Sequence, residues 1–146
     1  MTIHKSGVLG LLFIIAVPAV CAQTVRRSTT TTLSMTFSST VSPTGAVVIL
    51  TARVVASDQS AISHGRIKFC DADAPRCDGL SMLGMAQLDA NGVAISRLEL
   101  GPGQHRVRAV FCGTPHSDPP AVGSTSGVQI ITIKTISDNT LDGGLL

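Results

Sequence analysis

Residues 83–100, LGMAQLDANGVAISRLEL, carry the reading that decides the fold class. Asp89-Ala90-Asn91-Gly92 is the strongest hairpin signal in the chain, because Asn-Gly suits turns that require positive φ. Leu83, Ala86 and Leu88 precede it, on either side of a short break in pattern. Residues 94–100 read as the returning strand.

The same pattern recurs on both sides. Upstream, Leu33, Met35 and Phe37 alternate with Ser and Thr, the mark of a half-buried strand. Ser42-Pro43-Thr44-Gly45 is a turn, and Val48, Leu50, Ala52 and Val54 alternate after it. Ile67 and Phe69 alternate with Arg66, Lys68 and Cys70. Downstream, Gly101-Pro102-Gly103 is a tight connection. Val107, Ala109 and Phe111 then alternate with Arg106, Arg108 and Val110. A loop with Pro115, Pro119 and Pro120 leads to a last strand at 128–133. Seven strands at this spacing predict an all-β sandwich or barrel, and no stretch sustains a helical period.

Composition agrees. The 146 residues suit one domain, and the 44% hydrophobic content includes an apolar N-terminus. Charged residues are 14%, against about 25% in typical soluble domains. Trp and Tyr are absent, and Phe37, Phe69 and Phe111 are all assigned to the core. With no aromatic left for stacking, single-stranded nucleic acid is a poor partner. The formal charge of +2 demands neither nucleic acid nor an anionic membrane.

The N-terminus reads as a targeting segment. His4-Lys5 is a short positive start, residues 8–20 are almost wholly apolar, and Val20-Cys21-Ala22 offers small residues at a cleavage site. This predicts a secretory signal peptide over 1–22, cut after Ala22, and no membrane span in the mature chain. A transmembrane anchor is the alternative, but the apolar run is well short of the roughly 20 residues a span needs. A lipoprotein signal at Cys21 would want a small residue where Val20 stands. Export leaves Cys70, Cys77 and Cys112 in an oxidising compartment, an odd number. Residues 135–146 read as a flexible C-terminal tail.

Six segments in order carry a family resemblance. They are Ser28-Thr29-Thr30-Thr31-Thr32-Leu33, the run Val48-Ile49-Leu50-Thr51-Ala52-Arg53-Val54, and Gly65-Arg66-Ile67-Lys68-Phe69-Cys70-Asp71. Leu83-Gly84-Met85-Ala86-Gln87-Leu88, Asn91-Gly92-Val93-Ala94 and residues 101–111 follow. Together they resemble the bacterial Ig-like repeat domains of secreted and cell-surface proteins, over residues 28–134. The resemblance implies a seven-stranded immunoglobulin-like Greek-key β-sandwich. It also implies a structural, adhesive or spacer role at the cell surface or outside the cell, with no catalytic residues and no cofactor. Such domains usually come in tandem, whereas this chain has one, and its 71–78 loop is longer than the family's short turn.

In such a sandwich the strands at 66–70 and 106–112 are antiparallel neighbours. Cys70 and Cys112 then sit at opposite ends of the pair, roughly 15 Å apart at about 3.3 Å per residue. A disulfide needs Cα atoms within about 7 Å, so Cys70 is expected to pair with Cys77. Cys112 is left as an unpaired thiol. One reading makes it partly buried, and the other makes it an intermolecular disulfide and hence a dimer contact.

The remaining chemistry is sparse. Asp71, Asp73 and Asp78 lack the spacing of a calcium loop, since Pro75 sits where a ligand belongs and no Glu closes the site. His64, His105 and His116 are scattered, without the paired spacing that zinc requires. No nucleophile elbow or phosphate-binding loop is present, so a metal site and an enzyme are not expected. One arrangement stands out. With Ile67 and Phe69 inward, Arg66 and Lys68 point outward. With Val107, Ala109 and Phe111 inward, Arg106 and Arg108 point outward on the neighbouring strand. This face is the candidate anion-binding surface, for an acidic envelope polysaccharide or lipid phosphate. An unidentified protein is the other partner considered.

Overall fold

Alternation of apolar and polar residues sends every second side chain to the same face, so each segment above can bury one face only by pairing and stacking. The computed structural model describes residues 25–42 and 44–134. The expected signal peptide at 1–22, the tail at 135–146 and Pro43 of the first turn lie outside the described residues. The strands are β1 (Thr29–Ser42), β2 (Gly45–Ala56), β3 (Arg66–Asp71), β4 (Met82–Gln87), β5 (Val93–Leu100), β6 (Gly103–Phe111), β7 (Ser124–Thr125) and β8 (Gln129–Ile133). A 3-10 turn at Gly79–Ser81 precedes β4. The strands form two antiparallel sheets. One is ordered β1-β2-β5, and in the other β4, β3 and β6 are adjacent, with β7 and β8 both on the far side of β6. The all-β expectation holds, and the architecture is that of a sandwich.

The core lies between the sheets. Val48, Leu50, Ala52 and Val54 of β2 face Ile67 and Phe69 of β3 and Val107, Ala109 and Phe111 of β6, all fully buried. Each of these sets occupies alternate positions of its strand, as the sequence pattern requires. The large side chains share this core with alanines 46, 52, 94 and 109, so large and small residues alternate between the layers. Phe37 departs from expectation, because it is 51% exposed. The β1–β2 register shifts between Phe37 and Val41, and the alternation that buries Leu33 does not extend to it.

The hairpin expected at Asp89–Gly92 is a correction. The turn forms as its residues demand. The Asp89 carboxylate accepts the Asn91 and Val93 amides, each at 2.8 Å, and Gly92 adopts φ +72°. However, the strands it joins do not pair with each other. β4 pairs with β3, from Arg66↔Gln87 onward, and β5 pairs with β2, from Arg53↔Val93 onward. The turn is therefore a corner that carries the chain from one sheet to the other. Gly92 accepts the Val54 amide at 2.9 Å, which fastens the corner to β2. A turn's local chemistry specifies a reversal of direction. Which strand then pairs is decided by where each strand buries its apolar face.

The last strand also differs, since the described residues form eight strands where seven were expected. Residues 124–133 pair with β6 in two pieces. Between them the Ser126 hydroxyl accepts the Ala109 amide at 2.9 Å, and the Ser126 amide donates to the Ala109 carbonyl. A side chain thus takes one place in the ladder and breaks the strand.

The N-terminal segment is pinned before β1 begins. The Arg27 amide donates to Pro120 O at 2.8 Å, and its carbonyl accepts the Val122 amide. Its guanidinium reaches Ser60 and pairs with Asp58 at 3.5 Å. Hydrogen bonds from the Ser60 hydroxyl and amide, helped by Arg27, hold the Asp58 carboxyl below its ordinary range.

Gly92 provides a direct check on the corner. A Cβ there would lie 2.6 Å from the Val54 carbonyl oxygen, at a φ that side chains rarely adopt. Gly92→Ala is expected to lower unfolding free energy by about 1–3 kcal/mol. Gly101→Ala, whose Cβ meets nothing nearer than 4.0 Å, should be near neutral. Urea unfolding of the two variants makes the comparison.

Candidate functional site: the outer face of the β3–β6 sheet

Arg66, Lys68, Arg106 and Arg108 do project from the outer face, because their neighbours Ile67, Phe69, Val107 and Ala109 fill the inner one. They do not form a single cluster. In the β3–β6 register Lys68 lies opposite Val110, and Cys70 lies opposite Arg108. Arg66 lies level with Cys112, whose amide donates to the Arg66 carbonyl, and Arg106 lies level with Ala72. Six residues along a strand separate those levels, about 20 Å. The strand direction that keeps Cys70 from Cys112 therefore also keeps Arg66 from Arg106.

The two halves of the face differ in what answers the charge. Cys70 and Cys77 are disulfide-bonded, with Cα atoms 5.4 Å apart, as expected. Cys70 is fully buried although it points away from the core, because the loop it closes folds back over the sheet. Arg108 donates from Nη2 to the Ala74 carbonyl of that loop at 2.7 Å, and its Nε is buried without a partner. Arg106 pairs with Asp73 at 3.3 Å. Asp73 is held in turn by its amide, which donates to the Asp71 carboxylate at 2.9 Å. Ser81 donates to the Arg76 and Asp78 carbonyls and closes the loop's end. Two of the four cations are thus occupied by the stapled loop. The sequence held a usable signal for this, namely three carboxylates within reach of two arginines, but loop direction is not visible in a one-dimensional pattern.

Arg66 is exposed and Lys68 partly so, and neither makes an ion pair among the described residues. Around them lie Gln87 and Met85 of β4, opposite Arg66 and Lys68 respectively, and Val110 of β6. Met85 is half exposed. The open half of the face is therefore two cations on an otherwise neutral, partly apolar surface. An anion can meet such a surface through charge and its carbon skeleton together.

Cys112 is exposed, which corrects the reading of a partly buried thiol. With Arg26, Pro115 and the 120–123 segment it lines a cleft of about 220 Å³. His105 hydrogen-bonds the Gly101 carbonyl at 2.8 Å through Nε2. His64 lies 3.4 Å from the Ser63 hydroxyl. Among the described residues no three His, Cys, Asp or Glu side chains converge as a metal site would require. Among them, too, no helix is long and apolar enough to cross a membrane.

No protein-family model, curated protein or solved structure matches this chain.

Two outcomes follow from this geometry. Replacing Cys70 and Cys77 together by Ala should cost about 2.5 kcal/mol, the chain-entropy value for so short a loop. Denaturant unfolding with and without reductant reads that difference. A small maleimide should label Cys112 stoichiometrically in the folded protein, as peptide mass mapping would report, whereas a buried thiol would resist until unfolding.

Proposed function

We propose that the chain is an exported immunoglobulin-like module with a structural, adhesive or spacer role at or beyond the cell surface. The observation that carries this reading is strand order. Counting β7 and β8 as two pieces of one strand gives seven strands, with the first, second and fifth in one layer. The third, fourth, sixth and seventh form the other. The chain changes layer after β2, after β4 and after β5, a crossing pattern characteristic of Greek-key sandwiches. The fourth strand lies beside the third rather than beside the fifth, a variation within that plan. Sandwich modules of this kind bind through loops, faces and sheet edges held by a rigid core, and no catalytic residue is assigned to this one. The signal-peptide reading of residues 1–22 supports export.

A second reading treats the outer face as a binding site for acidic envelope polysaccharide or lipid phosphate. The unanswered charges of Arg66 and Lys68 favour it. Expressed with its N-terminus intact, the chain should be released as a species beginning at Gln23, seen by intact mass. The released chain should bind isolated cell envelopes. Retention that falls steeply with salt, and is lost in Arg66→Ser/Lys68→Ser but largely kept in Arg106→Ser/Arg108→Ser, favours the anion site. Salt-independent binding favours adhesion through loops or edges. Uncleaved chain retained in the cell contradicts export.

A further inference from the structure

The two layers are unequal in width, and the difference leaves one strand open. The β1-β2-β5 sheet has three strands, whereas the other is four strands wide. Among the described residues β5 ends the narrower sheet and pairs only with β2. Its neighbour across the layers is β4, whose Gly84 packs on the side chains of Ser96 and Leu98. That approach lies on the inner face of β5, where Ser96 and Leu98 stay half-buried, and no strand among the described residues pairs with its outer backbone edge. Among the described residues, no backbone hydrogen bond outside the β2 ladder involves residues 94–100.

The other edges are interrupted. β1 shifts register between Phe37 and Val41, and β4 meets a shift between Phe69 and Cys70. The far side of β6 is split between β7 and β8. Breaks of this kind protect sheet edges from pairing with other chains. β5 has no such break. Its register runs unshifted from Arg53↔Val93 to Ala46↔Leu100, and it contains neither Gly nor Pro.

The charges on β5 are arranged in self-complementary fashion. Arg97 and Glu99 are exposed and two residues apart, so they share the outer face with Ile95. Their register partners on β2 are Ile49 and Val47, and neither charge makes an ion pair among the described residues. We propose that β5 pairs antiparallel with β5 of a second copy of this chain, joining two three-stranded sheets into one of six.

Register follows from elementary constraints. Outward residues must oppose outward residues, or every side chain changes face. Centring the pair on Arg97 sets Arg97 against itself, and centring it on Glu99 sets Glu99 against itself. Centring on Ser96 opposes Arg97 to Ile95. Centring on Leu98 places Arg97 of each copy opposite Glu99 of the other, giving two opposite-charge cross-strand pairs. In that register Leu98 meets Leu98 on the inner side. Ile95, 59% exposed, faces Gly101, which has no side chain to obstruct it. The proposal is independent of export and of the anion face.

The test is sedimentation equilibrium of the purified chain carrying Cys112→Ser, which removes any disulfide dimer. A monomer–dimer equilibrium is expected. Arg97→Glu alone, or Glu99→Arg alone, turns two attractive pairs into two repulsive ones and should weaken association by about tenfold or more. Arg97→Glu combined with Glu99→Arg regenerates both pairs and should return the dissociation constant to within about threefold of the parent. A chain that stays monomeric at every concentration overturns the proposal. So does a dimer indifferent to the single reversals, or one that the double exchange fails to restore, since association would then use another surface.

Discussion

Everything in this molecule depends on β3 and β6 lying side by side and antiparallel with one face turned to β2. That pairing places Ile67 opposite Phe111 and Phe69 opposite Ala109, and it makes the wall against which Val48, Leu50 and Val54 are buried. The apolar surface removed from water there is the main favourable term available to an all-β chain of this length. Because side chains alternate, the same pairing fixes what stands on the other face: Arg66, Lys68, Cys70, Arg106 and Arg108. Core and candidate site are two sides of one ladder.

The antiparallel direction then distributes the chemistry. It carries Arg106 toward the end of β3 where the chain leaves for its loop, and Arg66 toward the end where Cys112 emerges. The Cys70–Cys77 bridge holds the loop short enough to turn back over the sheet, where Asp73 and the Ala74 carbonyl meet the two arginines of β6. The bridge therefore does more than restrict the unfolded chain. It decides which half of a cationic face is covered and which half stays open to solvent. Loops that carry function on a rigid scaffold usually need some such tether, because they have little core of their own.

The corner at Gly92 has a similar reach. By sending β5 to β2 instead of back along β4, it makes one sheet three strands wide and leaves β5 at its margin. Edge strands in natural sandwiches are commonly broken, charged or covered. Here three edges are broken and the fourth carries one charge of each sign, so the feature that deters most partners also defines the one register in which they are attracted.

By itself the sequence determined the strands, their inward faces, the turns and, given strand direction, the cysteine pair. These properties are local or follow from alternation and strand direction: alternation picks the buried positions, Asn-Gly picks a reversal, and antiparallel strands keep Cys112 from Cys70 and leave Cys77 as its partner. Phe37 shows the limit of alternation, since a pattern cannot tell where a long strand outruns its covering layer. The tertiary structure alone decided that residues 83–88 and 93–100 part company across the turn expected to pair them. It also decided that the last strand breaks at Ser126, that the four cations separate into an answered and an open pair, and that Cys112 faces solvent. Each of these depends on which strand lies beside which, and that choice is made by the summed burial of both layers at once, a quantity no single stretch of the chain contains.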